Sequence, residues 1–208
     1  MARRPASTEY RNELKNNILT EAYALFLKNG IRVVKMDDIA RHLGISKRTL
    51  YEIYSNKEDV VLESFKLHVE TSKSKFETRM RHTDDAMDIL TEFLRIRFNE
   101  VKDMNPVFFE DIHMYPSVLE FFEKNRGEHK TQTHEFFRKG QEQGYFITEL
   151  NFDIVEDICN NITGNFVATY VKTYPLKDIL KMMMIYLVRS ICTIKGIERL
   201  DKTILTDN

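Results

Sequence analysis

The sequence predicts an all-α protein of about nine helices, and three features support this prediction. Apolar residues recur about every 3.6 residues along most of the chain, which is the spacing of a helix face. Segments that alternate apolar and polar residues are scarce, and 7 Gly and 4 Pro are too few for a turn-rich β-sandwich. Apolar residues make up 42% of the 208 residues, which is ample for a buried core. We expect a small N-terminal domain, residues 1–57, and a larger helical domain, residues 58–208.

The first two helices are predicted by an apolar face, acidic first-turn residues and glycine stops. Lys28 and Gly30 supply a C-terminal cation and a terminating glycine for the first helix. Asp37 and Asp38 fit the first turn of a shorter second helix, where the helix dipole favours anions, and Gly44 ends it. The face of the first helix consists of Leu14, Ile18, Ala22, Leu25 and Phe26.

The third and fourth helices have separate start signals. Ser46 fits the N-cap of the third helix, and Ile45 and Leu50 are spaced for a hydrophobic staple across that cap. Only the turn Gly44-Ile45-Ser46 therefore separates the second helix from the third. Ser55-Asn56-Lys57-Glu58 matches the S-x-x-E capping box and predicts a long fourth helix that begins at Ser55.

The remaining chain keeps the helical period. Asn105-Pro106 is a good cap and first-position pair, and Pro116 begins a helix that ends near Gly144. A further helix is predicted around residues 155–170, and the last runs from Leu176 to Ile194. This last segment is apolar nearly all round, and such a helix must be buried on all sides. We therefore expect it and its neighbour to form the interface of a homodimer.

The charges of the two predicted domains differ. Residues 1–57 contain 11 Lys and Arg against 6 Asp and Glu, a net charge of +5, whereas residues 58–208 contain 20 against 26, a net charge of −6. This division favours a basic head that binds phosphate and an acidic body that does not. No signal segment follows the N-terminus, and no stretch approaches the roughly 18 apolar residues of a membrane span, so a cytoplasmic protein is expected. Cys159 and Cys192 fit reduced core positions.

A helix pair joined by a short turn with glycine is the arrangement that holds a recognition helix across the major groove of DNA. The third helix is the candidate, because its side chains can reach base edges or phosphates while Leu50 and Ile53 face the small domain. A solvated surface face is the alternative for any one of these residues. The candidate DNA-binding residues are Lys35, Lys47, Arg48, Thr49, Tyr51, Tyr54 and Lys57.

The segment from Val34 to Ala40 and the segment from Gly44 to Glu58 resemble the tetracycline-repressor (TetR) family of bacterial regulators. This similarity covers about a quarter of the chain. It implies that the third helix reads the major groove and that Lys57 binds phosphate. Two positions depart from the family: Lys35-Met36 stands where a Thr or Ser often opens the second helix, and Tyr54 replaces a more usual Phe.

The same resemblance implies a homodimer formed by the last two long helices and an effector pocket enclosed by the middle helices. Pockets for small molecules are mostly apolar with few polar groups, and the middle helices supply such residues. Plain core packing is the alternative for each aromatic residue. The candidate effector residues are Phe108, Phe109, His113, Tyr115, Phe122, Asn161 and Tyr170.

The sequence thus favours a DNA-binding transcriptional regulator, a repressor released from a palindromic operator by an unidentified small molecule. The alternative is a helix-turn-helix interaction protein that binds DNA non-specifically or recruits a protein partner. An enzyme is disfavoured, because the chain has no Gly-rich phosphate loop and no Ser/His/Asp or Cys/His motif. No cofactor and no metal is expected, since the five-residue spacing of His129 and His134 does not place both on one helix face.

Overall fold

The computed structural model describes residues 8–204, apart from the side chains of residues 160–166, 168 and 204. Ten helices lie within that range, and they confirm the all-α prediction. They are α1 (Thr8–Asn29), α2 (Met36–His42), α3 (Lys47–Ile53), α4 (Lys57–Met80), α5 (Ala86–Val101), α6 (Pro106–Ile112), α7 (Pro116–Glu142), α8 (Phe152–Tyr170), α9 (Leu176–Ile191) and α10 (Ile194–Ile204).

The helices group into two compact units. The first unit runs to Ser74 and also contains Asn105–Glu123, so that it includes α1, α2, α3, α6 and most of α4. The second unit comprises Lys75–Met104 and the chain from Lys124 onward.

The first unit is held by an apolar core shared by its helices. Gly30 and Gly44 have φ angles of 90° and 64°, a conformation that side chains with a Cβ rarely adopt, and they end α1 and α2 as predicted. Ile31 and Val34 of the α1–α2 turn are buried. Fully buried members of that core are Ile18, Ala22, Phe26, Ile39, Leu50, Val60 and Val61.

The second unit packs α5 against α9 and α10, and α8 against α9. Its N-terminal helix α5 is capped by Asp85, whose carboxylate accepts the backbone N–H groups of Met87 (2.8 Å) and Asp88 (3.0 Å). The buried cluster of this unit contains Ala86, Met87, Leu90, Leu94, Phe146, Ile191, Cys192 and Leu200.

The prediction of one helix from Leu176 to Ile194 was wrong at its end. α9 stops at Ile191, Cys192 is extended, and α10 begins at Ile194. The break follows from backbone pairing with a distant segment, because Ile147 N–H donates to the Ile191 carbonyl (3.0 Å) and Thr193 N–H donates to the Tyr145 carbonyl (2.8 Å). An α-helix could not keep its own hydrogen bonds and make these two as well.

The start of α4 also differs from the prediction. The capping box from Ser55 to Glu58 was wrong, because α4 begins at Lys57 and Asn56 caps it: the Asn56 side-chain oxygen accepts the Asp59 N–H at 2.8 Å. The Ser55 hydroxyl instead donates to the Asp59 carboxylate at 2.8 Å. Among the described residues, no helix is both long and apolar enough to cross a membrane.

Candidate nucleic-acid interface

Helix α3 is held in place by its cap and by one buried side chain. The Ser46 hydroxyl accepts the Thr49 N–H at 3.0 Å, which confirms Ser46 as the N-cap. Leu50 is completely buried in the first unit, and Ile45 N–H donates to the Ala40 carbonyl at 3.0 Å. These contacts fix the chain between α2 and α3. The face of α3 opposite Leu50 is exposed to solvent.

The solvent face of α3 carries three of the predicted DNA-binding residues. Arg48 is the most exposed, with 89% of its side chain accessible, and Lys47 and Tyr51 are accessible to 65% and 50%. Positions 47, 48 and 51 lie on one side of a helix. The structure therefore brings a guanidinium, an ammonium and a phenol together on an open helix face.

Both cations of this face already have carboxylate partners. The Lys47 ammonium pairs with Asp37 of α2. The Arg48 Nε donates to Glu52 at 2.8 Å, and this hydrogen bond raises the pKa of the guanidinium further. Pairs this exposed stabilise a protein little, so phosphate can replace the carboxylates at small cost. The sequence analysis did not identify Asp37 and Glu52 as partners of these cations, although the i, i+4 spacing of Arg48 and Glu52 indicates their pairing.

Thr49 of α3 and Tyr54, which follows α3, are less exposed than Lys47, Arg48 and Tyr51. Thr49 is half-buried, and its hydroxyl lies 2.8 Å from that of Ser46 within the cap. Tyr54 is also half-buried; burial, with a smaller contribution from Glu63, raises the pKa of its phenol to about 12. The Tyr54 phenol therefore favours its neutral, packed form.

Lys57 at the start of α4 and Lys35 before α2 differ in their surroundings. The Lys57 ammonium is half-buried and donates to the Arg32 carbonyl at 3.3 Å. Its pKa is lowered by burial, and the carboxylates of Asp111 and Asp38 oppose that shift. Lys35 is exposed before α2, and its backbone N–H donates to Asp38 at 2.9 Å. Contact between any of these residues and DNA stays a prediction.

The candidate effector residues of the first unit do not form one lining. Phe108 is buried and stacks on Phe65 with centroids 5.6 Å apart, and Phe122 meets the same Phe65 ring edge-on at 5.6 Å. Tyr115 lines a cleft of about 430 Å³ that also contains Lys57. Phe108 thus fits the alternative of core packing.

The other candidate effector residues differ in exposure and in their neighbours. Phe109 is half-buried and His113 exposed, and Tyr170 of α8 is exposed with its ring 6.5 Å from that of Tyr174. The side chain of Asn161 lies outside the described residues. A larger cavity of about 640 Å³ exists in the second unit, and none of the six candidates with described side chains lines it. Their role in effector binding stays a prediction.

The helix-turn-helix region is the part of the chain that a family model matches. The model described as bacterial regulatory proteins, tetR family, matches residues 18–63, from the middle of α1 to the start of α4. The helix-turn-helix region of the chain therefore matches the tetR family of bacterial regulatory proteins. DNA-binding transcriptional regulation, which the resemblance of the α2–α3 segment implied, is the activity of the proteins that this region matches.

Similarity to known proteins extends beyond residues 18–63. The HTH-type transcriptional repressor KstR2 of Mycobacterium tuberculosis is 23% identical over 150 residues, which are 69% of this chain and 74% of that protein. A transcriptional regulator from Saccharomonospora viridis, solved with choline, aligns over 88% of this chain and 99% of its own, with a TM-score of 0.68 and 16% identity. FadR from Bacillus subtilis, solved with stearoyl-CoA, aligns over 86% and 99%, with a TM-score of 0.59 and 16% identity. The two structures show that the fold of this chain is shared over most of its length.

Proposed function

We propose that this protein is a transcriptional regulator, a homodimeric repressor that binds a palindromic operator through α3 and releases it when a small molecule binds the larger domain. The open face of α3 carries the proposal, since Lys47, Arg48 and Tyr51 are accessible there while Leu50 is fixed in the core. Such a face offers cations to phosphate and donors to base edges. The repressor KstR2 and the ligand-bound relatives support repression and release.

A homodimer is supported by apolar side chains that the chain leaves uncovered on α8 and α9. Met182 and Tyr186 of α9 are 65% and 73% accessible, and one helical turn separates them. Ile154 and Ile158 of α8 are exposed with the same spacing. A second copy of the chain would cover this surface in a two-fold interface. Two α3 helices could then enter successive major grooves about 34–36 Å apart.

We also propose a boundary between the DNA-binding and effector-binding domains after residue 57, and a cytoplasmic location beside the operator. The boundary has support from the net charge, which is +5 before it and −6 after it.

A second candidate function follows from the charge pairing on α3. Since Asp37 and Glu52 neutralise Lys47 and Arg48, this face could also serve a protein partner or non-specific DNA. Non-specific binding depends strongly on salt and prefers no sequence. The two candidates therefore differ in one measurable property, which is the existence of a preferred DNA sequence.

The test is selection of bound sequences from a random pool of DNA duplexes. Wild-type protein is compared with Lys47→Ala/Tyr51→Ala and with Lys124→Ala, which removes an exposed charge from α7 outside the interface. We expect a palindromic consensus for wild type and Lys124→Ala and its loss in the double variant. A folded dimer that selects no consensus would rule out the repressor and favour the second candidate.

A further inference from the structure

The larger cavity of the second unit combines an apolar wall with lysines at its edge. It has a volume of about 640 Å³, within the range of about 300–1,000 Å³ that holds small organic ligands. Helices α5 and α9 supply most of its lining. Leu94 and Val101 are buried along α5, and Phe98 lies between them in sequence. We refer to it as the α5–α9 cavity.

Two of the three carboxylates in this lining are neutralised by arginines. Glu92 receives the Arg79 guanidinium at 2.7 Å and the Arg95 guanidinium at 2.6 Å, and these bonds lower its pKa even though burial opposes the shift. Asp88 receives the Arg199 guanidinium at 2.6 Å. Neither carboxylate therefore remains to attract a cationic ligand.

The lysines of the lining are not neutralised in this way. Lys102, Lys177 and Lys181 are exposed, and in the chain as described here no carboxylate forms an ion pair with them. Lys181 also lies over the Phe98 ring, with its ammonium 5.9 Å from the ring centroid. Against these three charges stands one unneutralised carboxylate of the lining, Asp178, so the edge of the cavity has an excess of positive charge.

We propose that the α5–α9 cavity binds an amphipathic organic anion, with its carboxylate or phosphate beside Lys102, Lys177 and Lys181 and its apolar chain against Leu94 and Phe98. The inference rests on the proposed function in one respect, since it makes this anion the class of effector. A cationic ligand is disfavoured because it would meet three ammonium groups at the edge, and a purely apolar one would leave them without a partner.

Calorimetric titration of the DNA-free protein with four probes tests which headgroup charge the cavity prefers in a ligand. The probes are octanoate, octyl phosphate, octan-1-ol and octyltrimethylammonium, each below its critical micelle concentration. We expect the two anions to bind about tenfold more tightly than the alcohol, the cation to bind most weakly, and the preference to shrink at high salt. Octanoate and octyl phosphate together identify which anionic group the lysines accept. Equal affinity for octan-1-ol and both anions would overturn the proposal.

Charge-matched variants test whether the anion binds in the α5–α9 cavity. Lys102→Gln/Lys177→Gln/Lys181→Gln should weaken anion binding about tenfold, while Lys75→Gln/Lys124→Gln/Lys172→Gln, which removes three exposed charges elsewhere, should leave it unchanged. Equal affinities of the two triple variants for the tighter anion would place any binding site elsewhere and overturn the proposal.

A single fluorescent reporter tests binding in the cavity even if the triple variant does not fold. The chain contains no Trp, so Asn99→Trp places one indole in the cavity lining. We expect its emission to change saturably with the tighter anion and to stay constant with octyltrimethylammonium. An emission that no anion changes, at concentrations that saturate the calorimetric signal, would contradict the site.

The proposed function is then tested separately with the selected operator. Anion binding that leaves operator affinity unchanged would refute the effector role and leave the cavity site standing. Operator binding by a protein that binds none of the anions would refute the cavity site and leave the regulator standing.

Discussion

At the scale of the residue, Arg48 shows how a side chain that is predicted to bind DNA is held in the protein. Its guanidinium is paired with Glu52 one turn later, at 2.8 Å, on a face that is almost fully exposed. The pair places a carboxylate beside the guanidinium, where it competes with phosphate for the same donor. Glu52 should therefore lower the affinity of the regulator for DNA.

Glu52→Gln is expected to tighten operator binding about threefold, because it removes both the competing partner and its repulsion of phosphate. The dissociation constant is measured by fluorescence anisotropy at fixed salt. Glu123→Gln removes a carboxylate from an exposed position of α7 and is the control for net charge. Weaker binding of Glu52→Gln would mean that Glu52 is needed to orient Arg48.

Tyr54 is expected to make stability depend on pH in alkaline solution. Its pKa rises from 10.0 to about 12 in the folded protein, mainly through burial, so the folded state holds this proton more tightly. Its contribution is complete below pH 10 and is lost as pH rises towards 12. Relative to Tyr54→Phe, wild type should lose about 2 kcal/mol of unfolding free energy across that window in urea titrations. Parallel pH profiles for the two proteins would contradict the burial of this phenol.

Single residues also show where sequence reasoning succeeds and where it ends. Ser46 could be predicted as a cap because its partner, the Thr49 N–H, lies three residues away. The bond from Lys57 to the Arg32 carbonyl spans 25 residues and could not be predicted from local sequence. The role of Asn56 as the cap of α4 was overlooked because the S-x-x-E pattern pointed to the neighbouring Ser55.

At the scale of the element, α6 is tied to the end of α1 by hydrogen bonds at both of its ends. At its start, Asn105 donates its backbone N–H to the Leu27 carbonyl (2.8 Å) and its side-chain amide to the Lys28 carbonyl (3.1 Å). At its end, the buried Asp111 accepts the Arg32 N–H at 2.8 Å. These bonds fix the segment from which α2 and α3 continue.

Loss of the Asp111 carboxylate should destabilise this attachment. Asp111→Ala leaves the Arg32 N–H without its partner, and we expect a loss of about 1–3 kcal/mol in unfolding free energy by urea titration. Asp111→Asn keeps an acceptor oxygen and should lose less. The exposed Asp103→Ala serves as the control, and equal stability of Asp111→Ala and this control would show that the bond contributes nothing.

The helices differ in how far the sequence determines them. Starts and stops with a local cause, such as Asn105-Pro106 or Gly30, were predicted from the sequence and are confirmed. The end of α9 has no Gly or Pro, and its apolar pattern continues into Ile194 of α10. Only pairing with the Tyr145–Ile147 backbone, more than forty residues earlier, breaks the helix there. Such a break depends on tertiary structure and is invisible to a periodicity argument.

At the scale of the whole molecule, the sequence predicted α3 and its exposed face better than it predicted a cavity. The bounds of α3 are set by local caps and turns, whereas a cavity depends on which helices meet. The aromatic residues chosen for the pocket include Phe108, which packs in the first unit, while the lysines of the α5–α9 cavity come from segments about 75 residues apart. Their proximity appears only after folding.

The uncovered face of α9 gives the last prediction, which concerns assembly. If Met182 and Tyr186 lie in a two-fold interface, Met182→Glu/Tyr186→Glu places uncompensated charges there, which cost several kcal/mol when buried. We expect wild type to sediment as a dimer and the double variant as a folded monomer that binds the palindromic operator weakly. Met114→Glu, at an exposed apolar position of the first unit, should remain dimeric. Dimers that persist in the double variant would place the interface on another surface of the protein.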